Sequence, residues 1–277
     1  MHNAVRIGMV NFINTAPIHE VWRERTHPAH WRMVEAPPST LNRLLAEGGI
    51  DVGFVSSHEY AQRPQGYRIM ADLSISASGP VGSVLLFSRL PLTELSGAEV
   101  RLSAQSGTSN ALVRILLEDF FQQRPCYRDD VCGELSGSAP KPAAILAIGD
   151  EALRLRDQAA WPVVLDLADE WRRWTGLPFV FAVFALREDF LANRPAEARA
   201  VHGELLVCRA EGLSRLEELS RRAAARVPMD EVSCLDYLRG IEYDLAPAKL
   251  EGLTHFFAQL IRRGEADAAA LPLKMFP

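Results

Sequence analysis

The chain reads as an α/β protein whose strands fall into two sets, one to each of two lobes, with a cleft between them. Three observations predict this. Short apolar runs alternate with helical patterns through the first 186 residues, the rhythm of largely parallel, doubly wound sheets. The strands group into roughly 5–88 and 99–168, with a turn-rich joint at 89–98 and an almost wholly apolar return at 179–186. The last 90 residues, from Glu188 on, read as three or four helices with polar outer faces and are expected to pad the first lobe. The expected division is residues 1–90 with 182–277 as one lobe and 91–181 as the other.

Taken in order, Arg6-Ile7-Gly8-Met9-Val10 is a short apolar run that reads as a buried first strand. Asn11 to Thr15 follows with amides and a hydroxyl, and Pro17 suits the first turn of a helix. Ile18 to Trp31 holds a short helix and a polar turn. Its two histidines, His27 and His30, are kept off one helical face by Pro28, so both are expected to be solvated. Ser39 is placed to cap a helix carrying Leu41, Leu44 and Leu45, which Gly48-Gly49 ends. Ile50 to Val55 is a half-buried strand running into Ser56-Ser57-His58-Glu59-Tyr60. Tyr67 to Ile75 and Val84 to Phe87 are strands on either side of the polar, glycine-containing stretch Ser76 to Ser83. Glu99 to Ala104 is a strand feeding Gln105-Ser106-Gly107-Thr108-Ser109 and then a helix over Asn110–Gln123 with a clean apolar face. Pro125 to Pro142 reads as a flexible surface segment. Residues 143–150 and 163–167 are strands. The first ends on Asp150, which reads as an acid, a base or a helix cap. Trp171 and Trp174 lie three apart on one helical face, in the core or between the lobes. Further helices run through 196–225, about 230–239, and 247–263.

Composition narrows the functional classes. Of the 277 residues 48 % are hydrophobic and 23 % charged, as in ordinary globular proteins. A formal net charge of −5 argues against nucleic acid or an anionic membrane as the main partner. No apolar run reaches transmembrane length and the amino terminus shows no signal-peptide pattern, so a cytoplasmic protein is expected. Cys126, Cys132, Cys208 and Cys234 show no CxxC spacing, and Cys126 and Cys132 have no histidine nearby, which predicts free thiols rather than zinc. No metal or cofactor is expected, and a homodimer stays open.

Open α/β sheets place ligands just beyond the carboxyl ends of their strands. Four polar loops hold such positions: Asn11–Thr15, Ser56–Glu59, Ser76–Ser83 and Ser106–Ser109. Asn11, Asn14 and Thr15 either wall a binding site or cap a turn. Ser106, Thr108 and Ser109 around Gly107 are the sharpest candidates. Free backbone N–H groups at a helix amino terminus favour a carboxylate or phosphate, although the same residues also make a plain N-cap. No Lys follows the glycine as in a Walker loop, and no Gly-x-Ser-x-Gly elbow occurs. His58 and Glu59, adjacent in sequence, point to different faces. The residues alone lead to a two-lobed anion-binding protein.

Several segments together resemble one family. Val10 to Pro17 is similar to its opening "VNYLNTxP", and Ile50 to Ala61 to its "IDVAPVSSxEYA". Leu73-Ser74-Ile75-Ser76 with Gly79 to Ser83, Ser106-Gly107-Thr108-Ser109, Ile148 to Leu153, and Glu170-Trp171 through Thr175 to Ala182 follow in order and spacing. Over about residues 5–190 the chain thus resembles the chorismate dehydratases of the futalosine route to menaquinone. The resemblance implies a type 2 periplasmic-binding-protein fold and a reaction that removes water from the dicarboxylate chorismate, giving 3-((1-carboxyvinyl)oxy)benzoate. It implies Asn14 and Ser83 as catalytic residues. Asn11, Thr15, Ser56, Ser57, Ser106, Thr108 and Ser109 are then the groups expected to hold the substrate. His58 is not part of the family's pattern and receives no role. Two alternatives stand beside this reading. One is a solute-binding or sensor protein for a small carboxylate; the other is the related 1,4-dihydroxy-6-naphthoate synthase, whose "SPCPND"-like opening the chain lacks.

Overall fold

The computed structural model describes residues 4–129, 141–158, 160–227 and 229–277. The chain begins β1 (Val5–Met9), α1 (Ala16–Glu24), β2 (Trp31–Glu35), α2 (Pro38–Glu47), β3 (Val52–Ser56), α3 (Ser57–Gln62) and β4 (Tyr67–Ala77). It continues with β5 (Val84–Ser88), β6 (Glu99–Leu102), α4 (Gly107–Ile115), β7 (Cys126–Asp129), β8 (Ala144–Ile148), α5 (Gly149–Asp157), β9 (Val163–Asp166) and α6 (Leu167–Thr175). Then come β10 (Phe179–Arg187), α7 (Glu188–Asn193), α8 (Pro195–Ser214), α9 (Leu216–Ala224), α10 (Glu231–Gly240), α11 (Pro247–Arg262) and β11 (Met275–Phe276).

Two sheets carry these strands, in the orders β11-β4-β10-β3-β1-β2 and β7-β6-β8-β5-β9. The α/β class holds, but the sheets are mixed rather than largely parallel. β1 runs parallel to β2 and β3, and β6 to β7 and β8. β10 is antiparallel to both β3 and β4, and β5 to both β8 and β9. The reason is topological. β5 and β10 are the first strands after the chain passes from one sheet to the other, so each starts where its neighbours end.

That topology also moves the joints. Val84–Ser88 belongs to the second sheet, lying between β8 and β9, so the strand sets divide after Ala77 and not between Ser88 and Glu99. The crossings are residues 78–83 and 176–178, rather than 89–98 and 179–186. β3 and β5 are buried along their whole length and β10 nearly so, which explains their continuous apolar character.

Other local expectations change for identifiable reasons. Trp31–Glu35 is an edge strand beside β1 and only Trp31 in it is buried, so its apolar signal is weak. His27 stacks on Trp22 at 4.0 Å between ring centroids, with Nε2 2.8 Å from the Trp22 carbonyl. His30 lies 2.8 Å from Glu197, so neither histidine is simply solvated. α4 ends at Ile115 in a wide π-type turn over Leu116–Phe120. The long helix expected over 196–225 is two, α8 and α9, broken at Arg215 (φ −110°, ψ 21°). Residues 125–142 begin as the edge strand β7; most of the remainder, with Cys132, lies outside the described residues. Cys126, Cys208 and Cys234 are free thiols.

One large apolar cluster runs through both sheets and the carboxyl-terminal helices. α8 and α9 pack on α1, and α11 on β10, so the terminal helices do pad the first sheet. Trp171 is fully buried in this core against Phe179 and Phe256. Among the described residues no helix is long and apolar enough to cross a membrane.

Candidate active site

The cleft ends of β1, β3, β4 and β8 and the starts of β5 and β10 surround a cavity of about 630 Å³, counting its open mouth. Phe12, Phe54, Ile75, Ile148 and Phe181 supply much of its apolar wall. Its polar lining is Asn14, Thr15, Ser56, Ser83, Ser106 and Ser109. Aspartate, glutamate, histidine, lysine and arginine are all missing from the lining among the described residues. Such a site offers neutral hydrogen bonds in an apolar enclosure, the usual character of small-molecule pockets.

Asn14 sits in the middle of the 3₁₀ turn Ile13–Thr15. Its Oδ1 is buried without a hydrogen-bond partner among the described residues, an acceptor at the cavity wall. Both flanks of the turn are fixed. The Ile13 N–H donates to Asp150 Oδ1 at 3.3 Å, and the Thr15 hydroxyl bonds the carbonyls of Val10 and Phe12 at 2.5 and 2.9 Å. Asp150 thereby caps this turn instead of its own helix α5, whose N-cap Ile148 makes no side-chain bond. Burial pushes the Asp150 carboxyl above its ordinary range.

Ser56 closes the end of β3 and caps α3. Its Oγ accepts from the Glu59 N–H at 3.1 Å and from Asn42 Nδ2 at 3.0 Å. A hydroxyl has two acceptor sites and one proton, so the proton of Ser56 is left for the cavity. Across the cleft Ser106 caps α4 through the Ser109 N–H at 3.1 Å, and the two hydroxyls lie 2.9 Å apart. Gly107 and Thr108 N–H have no intrahelical partner at this helix start, and the dipole there favours an anion.

Ser83 ends the first crossing and is 2 % exposed. Its carbonyl accepts from the Gly149 N–H at 2.7 Å, and its Oγ accepts from the Tyr237 hydroxyl at 2.9 Å. The preceding Gly82 has φ +71°, a left-handed conformation that other residues adopt at a cost. The Gly82 N–H donates to Asp166 Oδ2 at 2.6 Å, while Asp166 Oδ1 caps α6 through the N–H groups of Ala168 and Asp169. Burial pushes the Asp166 carboxyl up as well.

Three expected binding residues lie outside the lining. Asn11 is exposed; it donates to Glu35 at 2.9 Å and accepts from Arg226 at 2.5 Å. The Ser57 hydroxyl is fully buried and donates to the Val180 carbonyl at 2.7 Å, tying α3 to β10. Thr108 Oγ1 accepts the His58 N–H at 3.0 Å, joining α3 to α4 across the cleft. Burial holds the His58 imidazole below its ordinary pKa. Sequence reasoning missed Tyr237, Asn42 and Asp166. Only Asp166, an acid at a strand end just before a helix, carried a local signal, that of an N-cap. Among the described residues no group of His, Cys, Asp and Glu is arranged to hold a metal ion.

Two sheets joined by two crossings, with a cavity at the facing strand ends, define a periplasmic-binding-protein-like fold. Matching solved structures include a protein from Archaeoglobus fulgidus, with a TM-score of 0.73 at 18 % identity, covering 95 % of this chain and 99 % of that one. The alkanesulfonate-binding protein of Xanthomonas axonopodis pv. citri matches with a TM-score of 0.70 at 13 % identity, covering 96 % and 95 %. Sequence comparison goes further than fold. Residues 5–261 match the menaquinone biosynthesis family, and the chain belongs to it. It is 31 % identical over 281 residues to the chorismate dehydratase of Thermus thermophilus, covering 96 % of this chain and 95 % of that one. It is 30 % identical over 184 residues to the chorismate dehydratase of Campylobacter jejuni, covering 64 % and 66 %.

Proposed function

We propose that the protein is a chorismate dehydratase, a carbon–oxygen lyase that eliminates water from chorismate to give 3-((1-carboxyvinyl)oxy)benzoate on the futalosine route to menaquinone. One observation carries the reading. In a chain 31 % identical to a chorismate dehydratase over nearly its full length, the cavity offers hydroxyls, an amide oxygen and a helix amino terminus, with no acidic or basic side chain in its lining among the described residues. The hydroxyls and the helix start suit the carboxylates of a substrate that carries its own base, and the amide oxygen suits a substrate hydroxyl.

Loss of the 4-hydroxyl and the C3 proton makes the ring aromatic, so the product supplies the driving force. The protein has to orient two carboxylates, assist the departing hydroxyl and give the proton somewhere to go. Ser56, Ser106 and Ser109 with the start of α4 hold the carboxylates. Asn14 and Ser83 hydrogen-bond the hydroxyl and fix the ring. Neither is a base near neutral pH, so a substrate carboxylate takes the C3 proton. The C–H electron pair becomes the new ring double bond, the C4–O bond breaks, and hydroxide leaves as water on gaining that proton.

The same proposal makes the two sheets into lobes that close about residues 78–83 and 176–178, with Val84–Ser88 counted in the second lobe. Closure strengthens the polar contacts by excluding water. The reading takes the enzyme to be cytoplasmic, as the amino-terminal sequence leads us to expect.

Purified protein incubated with chorismate is expected to form the aromatic enolpyruvyl ether, followed by its absorbance, with Asn14→Ala and Ser83→Ala strongly impaired. Tight binding without product would favour a sensor or solute-binding protein. No binding would sink both chorismate readings.

A further inference from the structure

Tyr237 comes from α10, far from the family-like motifs, yet its hydroxyl reaches Ser83. The ring is 8 % exposed and packs on Gly82, where an added Cβ would stand 3.5 Å from Cδ2. α10 packs on α9 and is anchored to the first sheet just past its end. Asp230 caps its start through the Ser233 N–H at 2.9 Å. Just past its end, Glu242 and Ser76 exchange backbone hydrogen bonds of 2.9 Å each, and the buried Lys249 bonds Glu242 and Asp244 at 2.6 and 2.5 Å. Ser83 is pinned on its other side by Gly149, and Gly82 by Asp166. The 2.9 Å contact between Tyr237 and Ser83 thus joins two rigid supports.

We propose that Tyr237 is a positioning residue for the dehydration: by filling an acceptor site of Ser83 it turns the serine's own proton into the cleft, toward the hydroxyl that leaves. This rests on the dehydratase reading above. A serine oxygen that receives a hydrogen bond while donating one is also the stronger donor, because charge building on Oγ is already met. Tyr237 keeps its proton throughout, since burial pushes the phenol well above its ordinary pKa.

A double-mutant cycle of Ser83→Ala and Tyr237→Phe, read as kcat and KM for chorismate, tests the role. Tyr237→Phe alone is expected to lower kcat about tenfold, the scale of one neutral hydrogen bond, with KM within about twofold. In the Ser83→Ala background the same change is expected to do nothing more. Tyr243→Phe is the control: that hydroxyl is buried without a partner among the described residues, so its loss is expected to leave kcat at the wild-type value. An equal factor in both backgrounds, an unchanged kcat for Tyr237→Phe, or an equal loss for Tyr243→Phe overturns the role. If Tyr237→Phe does not fold, 3-fluorotyrosine at 237, a stronger donor of nearly the same shape, is expected to hold or raise kcat, and a fall overturns the role. A wild-type protein that does not convert chorismate overturns the functional reading itself, and this role with it.

Discussion

Replacing Asn14 by alanine is expected to stabilise the free protein slightly while disabling it. Asn14 Oδ1 is buried with no hydrogen-bond partner among the described residues, and a buried acceptor without a protein partner costs up to about 1–3 kcal/mol. The turn that carries it does not depend on the amide: Ile13 is held by Asp150, and Thr15 by the carbonyls of Val10 and Phe12. Truncation removes the orphan acceptor and leaves those bonds intact. It also loses some packing, which offsets part of the gain. A net increase of about 1 kcal/mol in unfolding free energy follows, or about 2–4 °C in Tm for a chain of this size. Turnover should fall about 100- to 1000-fold, equivalent to about 2.7–4 kcal/mol of lost transition-state stabilisation, the scale measured for a preorganised polar group at developing charge. Thermal unfolding without ligand and product formation from chorismate measure the two effects on one sample. A variant less stable by more than about 1 kcal/mol, with turnover within about threefold of wild type, would refute the reasoning on both counts.

Three further perturbations probe the walls of the same cavity. Ser56→Ala removes the cap on α3 and leaves Asn42 Nδ2 without its acceptor; denaturant unfolding should register a loss of about 2 kcal/mol together with a raised KM, and unaltered stability would remove the cap from the account. Gly82→Ala forces a side chain into φ +71° with its Cβ 3.3 Å from Arg156 Nη1. It should cost about 1–2 kcal/mol and depress kcat by displacing Ser83, whereas a wild-type kcat would show that the serine's position does not depend on this turn. For His58, burial holds the folded pKa below the ordinary 6.5. The native state therefore binds fewer protons than the unfolded one in that window, and stability is full above pH 6.5 and falls as the pH drops toward the folded pKa. His58→Gln should flatten that part of the stability–pH curve, and an unchanged slope would assign it to another group.

Much of the chemistry is written locally. Asn14, Ser83, Ser56, Ser106 and Ser109 all occupy strand ends that periodicity places at the mouth of an α/β sheet, and all five line the cavity. Asn11, Ser57 and Thr108 share the same local pattern, yet their polar groups are taken by Arg226, the Val180 carbonyl and the His58 N–H. Nothing within a few residues of each distinguishes the two sets. What occupies the polar groups of Asn11, Ser57 and Thr108 is a partner between 50 and 215 residues away.

By itself the sequence determined the α/β class, the strand-end loops, the helices of the last third though not the strand β11, and the family, because period, caps and motif order are properties of neighbouring residues. Only the tertiary structure decided that the sheets are mixed, that Val84–Ser88 joins the second of them, and that residues 78–83 and 176–178 are the crossings. It alone brought Tyr237 to Ser83 across 154 residues of chain. A hydroxyl's direction is set by whichever partner saturates its other sites, and those partners are chosen by the packing of distant elements.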